Sequence, residues 1–110
     1  MHIDSYSFGK VIVDGTIYTS DVIIYPDHVQ ANWRRRRGHL LQPEDLSDVI
    51  ATAPDTLIIG TGAHGRMTIS EEARQLLNQE NISFEVLPTE EACQAFNKRS
   101  NAVAALHLTC

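Results

Sequence analysis

Apolar positions in the first third of the chain fall in short runs separated by turn-forming residues. The run from Tyr6 to Val13 holds Phe8, Val11, Ile12 and Val13, and Asp14-Gly15 follows at once, a dipeptide that favours positive φ and a tight hairpin. Ile17 and Tyr18 begin a short return. Val22 to Tyr25 forms a third run, closed by Pro26-Asp27, and His28 to Trp33 a fourth, with Val29, Ala31 and Trp33 on one side at period two. The pattern predicts an antiparallel meander.

The period then changes. Pro43 suits a first helical turn, Glu44 and Asp45 set acids at its positive end, and Leu46, Val49, Ile50 and Ala53 make one apolar stripe that stops at Pro54-Asp55. Thr56 to Ile59 is a continuous apolar run, as in a strand covered on both faces, and Gly60-Thr61-Gly62 is expected to end it. Ser70 reads as an N-cap before Glu71 and Glu72, with Ala73, Leu76 and Leu77 inward. A strand is expected over Ile82 to Leu87. A third helix should follow, capped by Thr89, with Glu90 and Glu91 behind the cap and Ala92, Cys93 and Phe96 on its inner face. Ala102 to Leu108 is the last strand. Strand, helix and strand at these lengths imply parallel neighbours. The expected object is one α/β domain over residues 1–110, a mixed sheet with a βαβαβ C-terminal half and an N-terminal antiparallel meander.

Composition fits that picture, with 43% hydrophobic and 21% charged residues in a chain of 110. Charge adds a feature. Fourteen acids face nine bases, for a net charge of −5, and four of the bases are consecutive, Arg34 to Arg37. Without them five bases face fourteen acids, a balance of −9, so an acidic body carries one basic spot. Cys93 and Cys110 show no C-x-x-C spacing, the N-terminal residues lack an apolar leader, and the run Ala102–Leu106 is far short of a membrane span. The expectation is a cytoplasmic protein with reduced thiols and no membrane segment, its oligomeric state left open.

Gly60-Thr61-Gly62-Ala63-His64-Gly65 fits the letters G-x-G-x-x-G. A dinucleotide site needs a helix opening at the third glycine and an acid at the end of the next strand. Here the helix is expected from Ser70, and Leu87-Pro88 stands where the acid belongs. No cofactor is expected. The glycines either permit a tight exit turn or border a crevice that takes a small anion or a partner's side chain. Parallel strands put Thr89 on the same rim, whose helix N–H groups favour anions.

Trp33 and Arg34, Arg35, Arg36 and Arg37 allow three readings: a solvated basic loop with Trp33 in the core, a carboxylate clamp, or a nucleic-acid contact with a stacking ring. The acidic body opposes the last. Among the histidines, His39 is placed to cap or orient the first helix, and His64 in the glycine loop suits acid–base work. No two histidines lie at i, i+4 and none pairs with a cysteine at zinc-ligand spacing, so no metal site is predicted. Cys93 reads as a small core residue.

Several segments together resemble a known family: Ile58-Ile59-Gly60-Thr61-Gly62, Pro88-Thr89-Glu90-Glu91-Ala92-Cys93, Phe96-Asn97, Val103-Ala104-Ala105-Leu106, and Trp33-Arg34 followed by Gly38-His39. They are similar to the uncharacterised MTH-like domain family, which has an archaeal structural prototype. Its eukaryotic members include an adipogenesis-associated protein and a mitochondrial complex I assembly factor. The resemblance implies a three-layer fold and no particular reaction. This chain departs from the pattern in the short Lys98–Ala102 connection, with Arg99 close to Asn97. The expected function is a small, non-catalytic binding or assembly domain that takes a protein partner or small anionic ligand at the sheet rim. The alternatives are an enzyme on a small anionic metabolite, using His64 or Thr61, and weak nucleic-acid association through Arg34 to Arg37.

Overall fold

The computed structural model describes residues 1–110. Its first strands are β1 (Ile3–Ser7), β2 (Lys10–Val13) and β3 (Thr16–Tyr18), paired antiparallel in the order β1-β2-β3. The run expected as one strand from Tyr6 is therefore two, because the chain turns at Phe8-Gly9, where Gly9 takes φ 76°. The second hairpin turns at Asp14-Gly15, both at positive φ, as that dipeptide requires.

The meander ends there. Strands β4 (Val22–Ile24) and β5 (Val29–Gln30) leave it for the central sheet, and Asn32 at φ 56° stops β5 short of Trp33. A further strand, β6 (Leu40–Leu41), leads into a 3₁₀ turn at Pro43–Leu46 and helix α1 (Ser47–Ala51). The buried run becomes β7 (Thr56–Thr61), which passes straight through Gly60 instead of ending before it. After β8 (Thr68–Ile69), helix α2 (Glu71–Gln79) begins where the sequence placed it, with the Ser70 side chain accepting from the Ala73 amide at 3.0 Å. Then come β9 (Ser83–Leu87), α3 (Thr89–Asn97) and β10 (Ala102–His107). The five-stranded sheet runs β5-β4-β10-β7-β9, with β7 parallel to both β9 and β10 and β4 antiparallel to β10; β6 and β8 form a small parallel ladder of their own.

Period two decides which face each strand residue covers. Ile23, Leu57, Ile59, Val103 and Ala105 point to one side, with Leu46 and Val49 near α1, Leu77 of α2, and Leu41 and Ile69 of the small ladder. Val22, Ile24, Ile58, Ala104 and Leu106 point to the other, against Ala92, Cys93 and Phe96 of α3 and Ile3, Val11 and Val13 of the outer β layer. The result is three layers around a mixed sheet. Helix α2 steps from β7 to β9, and α3 steps back past β7 to β10 on the opposite face, as crossovers of one hand require. No helix is long and apolar enough to cross a membrane.

Candidate functional site

The parallel strands β7 and β10 end side by side at Thr61 and His107. Because β4 is antiparallel to β10, with Val22 opposite Leu106, its first neighbour Asp21 is set beside His107. The Asp21 carboxylate takes Nδ1–H of His107 at 2.8 Å and Nη2–H of Arg35 at 2.8 Å on one oxygen, and the Leu108 amide at 2.8 Å on the other. Burial works against its charge, but these hydrogen bonds and the guanidinium together hold its pKa below the ordinary value.

Arg35 reaches the network from the loop after β5. Trp33 fixes that loop: its backbone amide donates to Asp21 O at 2.8 Å, its indole to Asp45 O at 3.2 Å, and its ring lies in the core, 4.7 Å beneath the guanidinium carbon. The Arg35 side chain is only 4% exposed. Its Nε and Nη2 also donate to Gly38 O at 3.2 and 3.0 Å. Nη2 has two hydrogens, and Asp21 and Gly38 take both. The close approach of Nη2 to His107 Nδ1, 2.9 Å, therefore reflects two donors meeting at one carboxylate. Two buried nitrogens have no partner, Nη1 of Arg35 and Nε2 of His107.

Thr89 ties the neighbouring loop to the same place. It does not cap α3; Pro88 is the N-cap residue and lends no side-chain hydrogen bond. The fully buried hydroxyl instead accepts from the Gly62 amide at 2.8 Å and donates to His107 O at 2.5 Å. A Cβ on Gly60 would stand 2.8 Å from Leu106 Cδ2 and 3.0 Å from Thr89 Oγ1, and one on Gly62 would collide with the Thr109 carbonyl oxygen. Both glycines thus face protein. Thr61 is buried and donates its hydroxyl to Leu87 O at 3.1 Å, while His64 is exposed in the loop.

Gly62, Thr89, Arg35 and Trp33, singled out from sequence, therefore meet on one rim, linked through His107 in the contact chain Gly62–Thr89–His107–Arg35–Trp33, with the His39 ring 5.8 Å from that of His107. This rim is closed rather than cleft. The surface depressions lie elsewhere, beside Asn81 and Phe84, between β1 and α3 at Tyr6 and Gln94, and at Pro54. Arg34, Arg36 and Arg37 are on the outside around it, as is Arg66 in the loop from β7. Parallel β6 and β8 begin side by side, so these loops share an edge that holds five of the nine bases once Arg35 is included.

Sequence reasoning missed Asp21, His107 and Cys110. No metal site was predicted, because the His107-Leu108-Thr109-Cys110 spacing was overlooked, yet the fold brings one donor atom each from His39, His107 and Cys110 within 4.8 Å of one another. The available signal was a histidine inside an otherwise apolar buried strand, which demands a polar partner. Cys93 behaves as expected of a core thiol: burial, then the nearby Glu90, push its pKa up to about 12.

Comparison with known proteins agrees with the fold. A conserved hypothetical protein of Pyrococcus horikoshii, PH1505, superposes with a TM-score of 0.82 at 27% identity, covering 100% of both chains. A protein of Bartonella henselae described as an outer membrane protein gives 0.82 at 25% identity, over 98% of this chain and 94% of that one. A Bordetella pertussis protein described as a Mth938-like domain gives 0.63 at 16%, over 97% and 85%, and speaks to fold alone. The fold is thus Mth938-like over 97% of the chain, residues 3–107 match the family described as protein of unknown function DUF498/DUF598, and the chain belongs to that family.

Proposed function

We propose that this chain is a non-catalytic binding domain of the cytoplasm that holds a carboxylate-bearing ligand, a small acid or the acidic side chains of a protein partner, along the rim formed by Arg34 to Arg37, His39 and the 60–66 loop. What carries the reading is the charge distribution: five of nine bases share one edge of a chain whose net charge is −5. Arginine forks suit carboxylates, and a local cationic edge on an acidic body steers acidic partners to one orientation. Arg35 is committed to Asp21, so Arg34, Arg36 and Arg37 are the contact residues and Arg35 the post that holds their loop.

Titrating isotope-labelled protein with citrate and, separately, with a polyglutamate peptide tests this. At low salt, saturable shifts are expected in residues 34–39 and 64–66, several-fold weaker at about 0.2 M salt and lost when Arg34, Arg36 and Arg37 become Ser. Shifts with citrate alone assign a small acid, and shifts with the peptide alone assign a protein partner. No saturable shift with either probe, or shifts undiminished in the triple variant, would overturn the proposal.

A further inference from the structure

The geometry points to a transition-metal site of the zinc class at the rim, with His39 Nε2 or Nδ1, His107 Nε2 and Cys110 Sγ as ligands and Asp21 as the positioning residue behind His107. The donors converge from two pieces of chain: the turn before β6 supplies His39, and the stretch that closes β10 supplies His107 and, three residues on, Cys110. Two imidazoles and a thiol are the donor set of borderline and soft cations, not of calcium or magnesium.

A second observation, independent of proximity, concerns His107. Its side chain is 8% exposed, and its Nε2 is buried without a hydrogen-bond partner. Such a nitrogen is costly unless something pairs with it. Its Nδ1 is held by the Asp21 carboxylate at 2.8 Å, and Arg35 Nη2 has no hydrogen left for it, so the proton sits on Nδ1 and the lone pair on Nε2. A carboxylate that fixes one ring nitrogen so that the other faces a metal is the usual support of a metal-bound histidine. The Arg35 cation beside it is matched by Asp21, so the pair adds no net charge against a dication.

The distances fit with a small closure. Metal–nitrogen bonds of about 2.0–2.1 Å and a metal–sulfur bond of about 2.3 Å set tetrahedral donors roughly 3.5 Å apart. One donor atom from each of the three residues already lies within 4.8 Å of the others, so about 1 Å of movement brings the residues to bonding range. His107 is fixed, while His39 is exposed and Cys110 half-buried, so the two outer ligands close on the anchored one. Metal binding displaces one proton, from the Cys110 thiol, and leaves a fourth coordination position for water or an anion. The proposed carboxylate site shares only His39 with these ligands and is carried by Arg34, Arg36 and Arg37, so either can fail without the other.

The test is equilibrium dialysis of the full, thiol-reduced chain against Zn²⁺, Co²⁺ and Mg²⁺, with the Co²⁺ spectrum recorded. One equivalent of Zn²⁺ or Co²⁺ is expected, with a cobalt–thiolate charge-transfer band, and no Mg²⁺. Cys110→Ser should abolish the band, and His39→Ala should weaken Co²⁺ binding at least about tenfold, in the range that losses around a metal produce. Cys93→Ala and His28→Ala, away from the cluster, should leave both unchanged. Melting curves of every variant establish that it is folded. Cobalt bound without a thiolate band, binding that survives both ligand substitutions, or no binding by folded wild type would each overturn the site.

Discussion

Replacing Gly62 with alanine is expected to lower the melting temperature by about 10 °C or more. Two effects add. Gly62 has φ 108°, a conformation side chains rarely adopt, and its Cβ would meet backbone, colliding with Thr109 O and standing 2.8 Å from the Cys110 carbonyl carbon. Backbone strain of about 1–3 kcal/mol and overpacking of similar size sum to roughly 3 kcal/mol or more, and each kcal/mol moves the melting point of a domain this size by roughly 3–5 °C. The segment that would have to give way also carries His107, whose Cδ2 lies 3.0 Å from the same Cβ. Gly65→Ala is the control. It too has positive φ, 65°, but its Cβ meets Thr61 Oγ1 at an ordinary 3.5 Å, so its cost should be about 1 kcal/mol. Thermal melts of the two variants side by side decide the matter: equal losses would mean that close approach at Gly62 is not what the rim requires.

Asp21→Ala should cost about 3 kcal/mol, because removing one member of a buried ion network leaves the others uncompensated. Arg35 and His107, with side chains 4% and 8% exposed, would each lose a charged partner, and the Leu108 amide its acceptor. Adding Arg35→Met should recover part of the loss, since no unpaired cation then remains. The pH dependence carries a sign. The carboxyl is held below its ordinary value of 3.8 in the folded state, so its stabilisation is present above 3.8 and is lost as pH falls below it towards the lower folded value. Denaturant melts should therefore show wild type and Asp21→Ala far apart near neutrality and converging below pH 3.8. Curves that stay parallel through that range would remove Asp21 from the centre of the network.

Where the chain alone was informative, the deciding forces were local. The Ser70 cap, the Ala92–Cys93–Phe96 face and the buried Thr56–Ile59 run are set by hydrogen bonding and hydrophobic period within a few residues, and all appear in the fold. Expectations failed where a distant element decided. Gly60 reads as a break, yet it stays in the strand because it pairs with Leu106 of β10 and Leu87 of β9, and it is glycine because Leu106 and Thr89 leave no room for a side chain. Ladder β6–β8, two residues long on each side, leaves no period to read. The turn at Phe8-Gly9 was hidden among apolar neighbours, with a single glycine as its only mark.

The site followed the same division. The basic run, Trp33 and the glycine loop stand out as composition, and antiparallel and parallel pairing does bring them to one edge. Asp21 could not be found that way. It lies 86 residues from His107 and becomes its neighbour only through the pairing of β4 with β10. Thr89 reads as a helix cap because its local context is that of a cap, whereas its hydroxyl serves the loop and strand above it.

Asp21 takes hydrogens from both Arg35 and His107, and this shared acceptance fixes where the imidazole carries its proton. A long-range ¹H–¹⁵N correlation spectrum of the histidines, recorded at about pH 8 where an ordinary imidazole is neutral, reads this directly. His107 should show its proton on Nδ1 and a bare Nε2; a His107 with its proton on Nε2 would contradict the network.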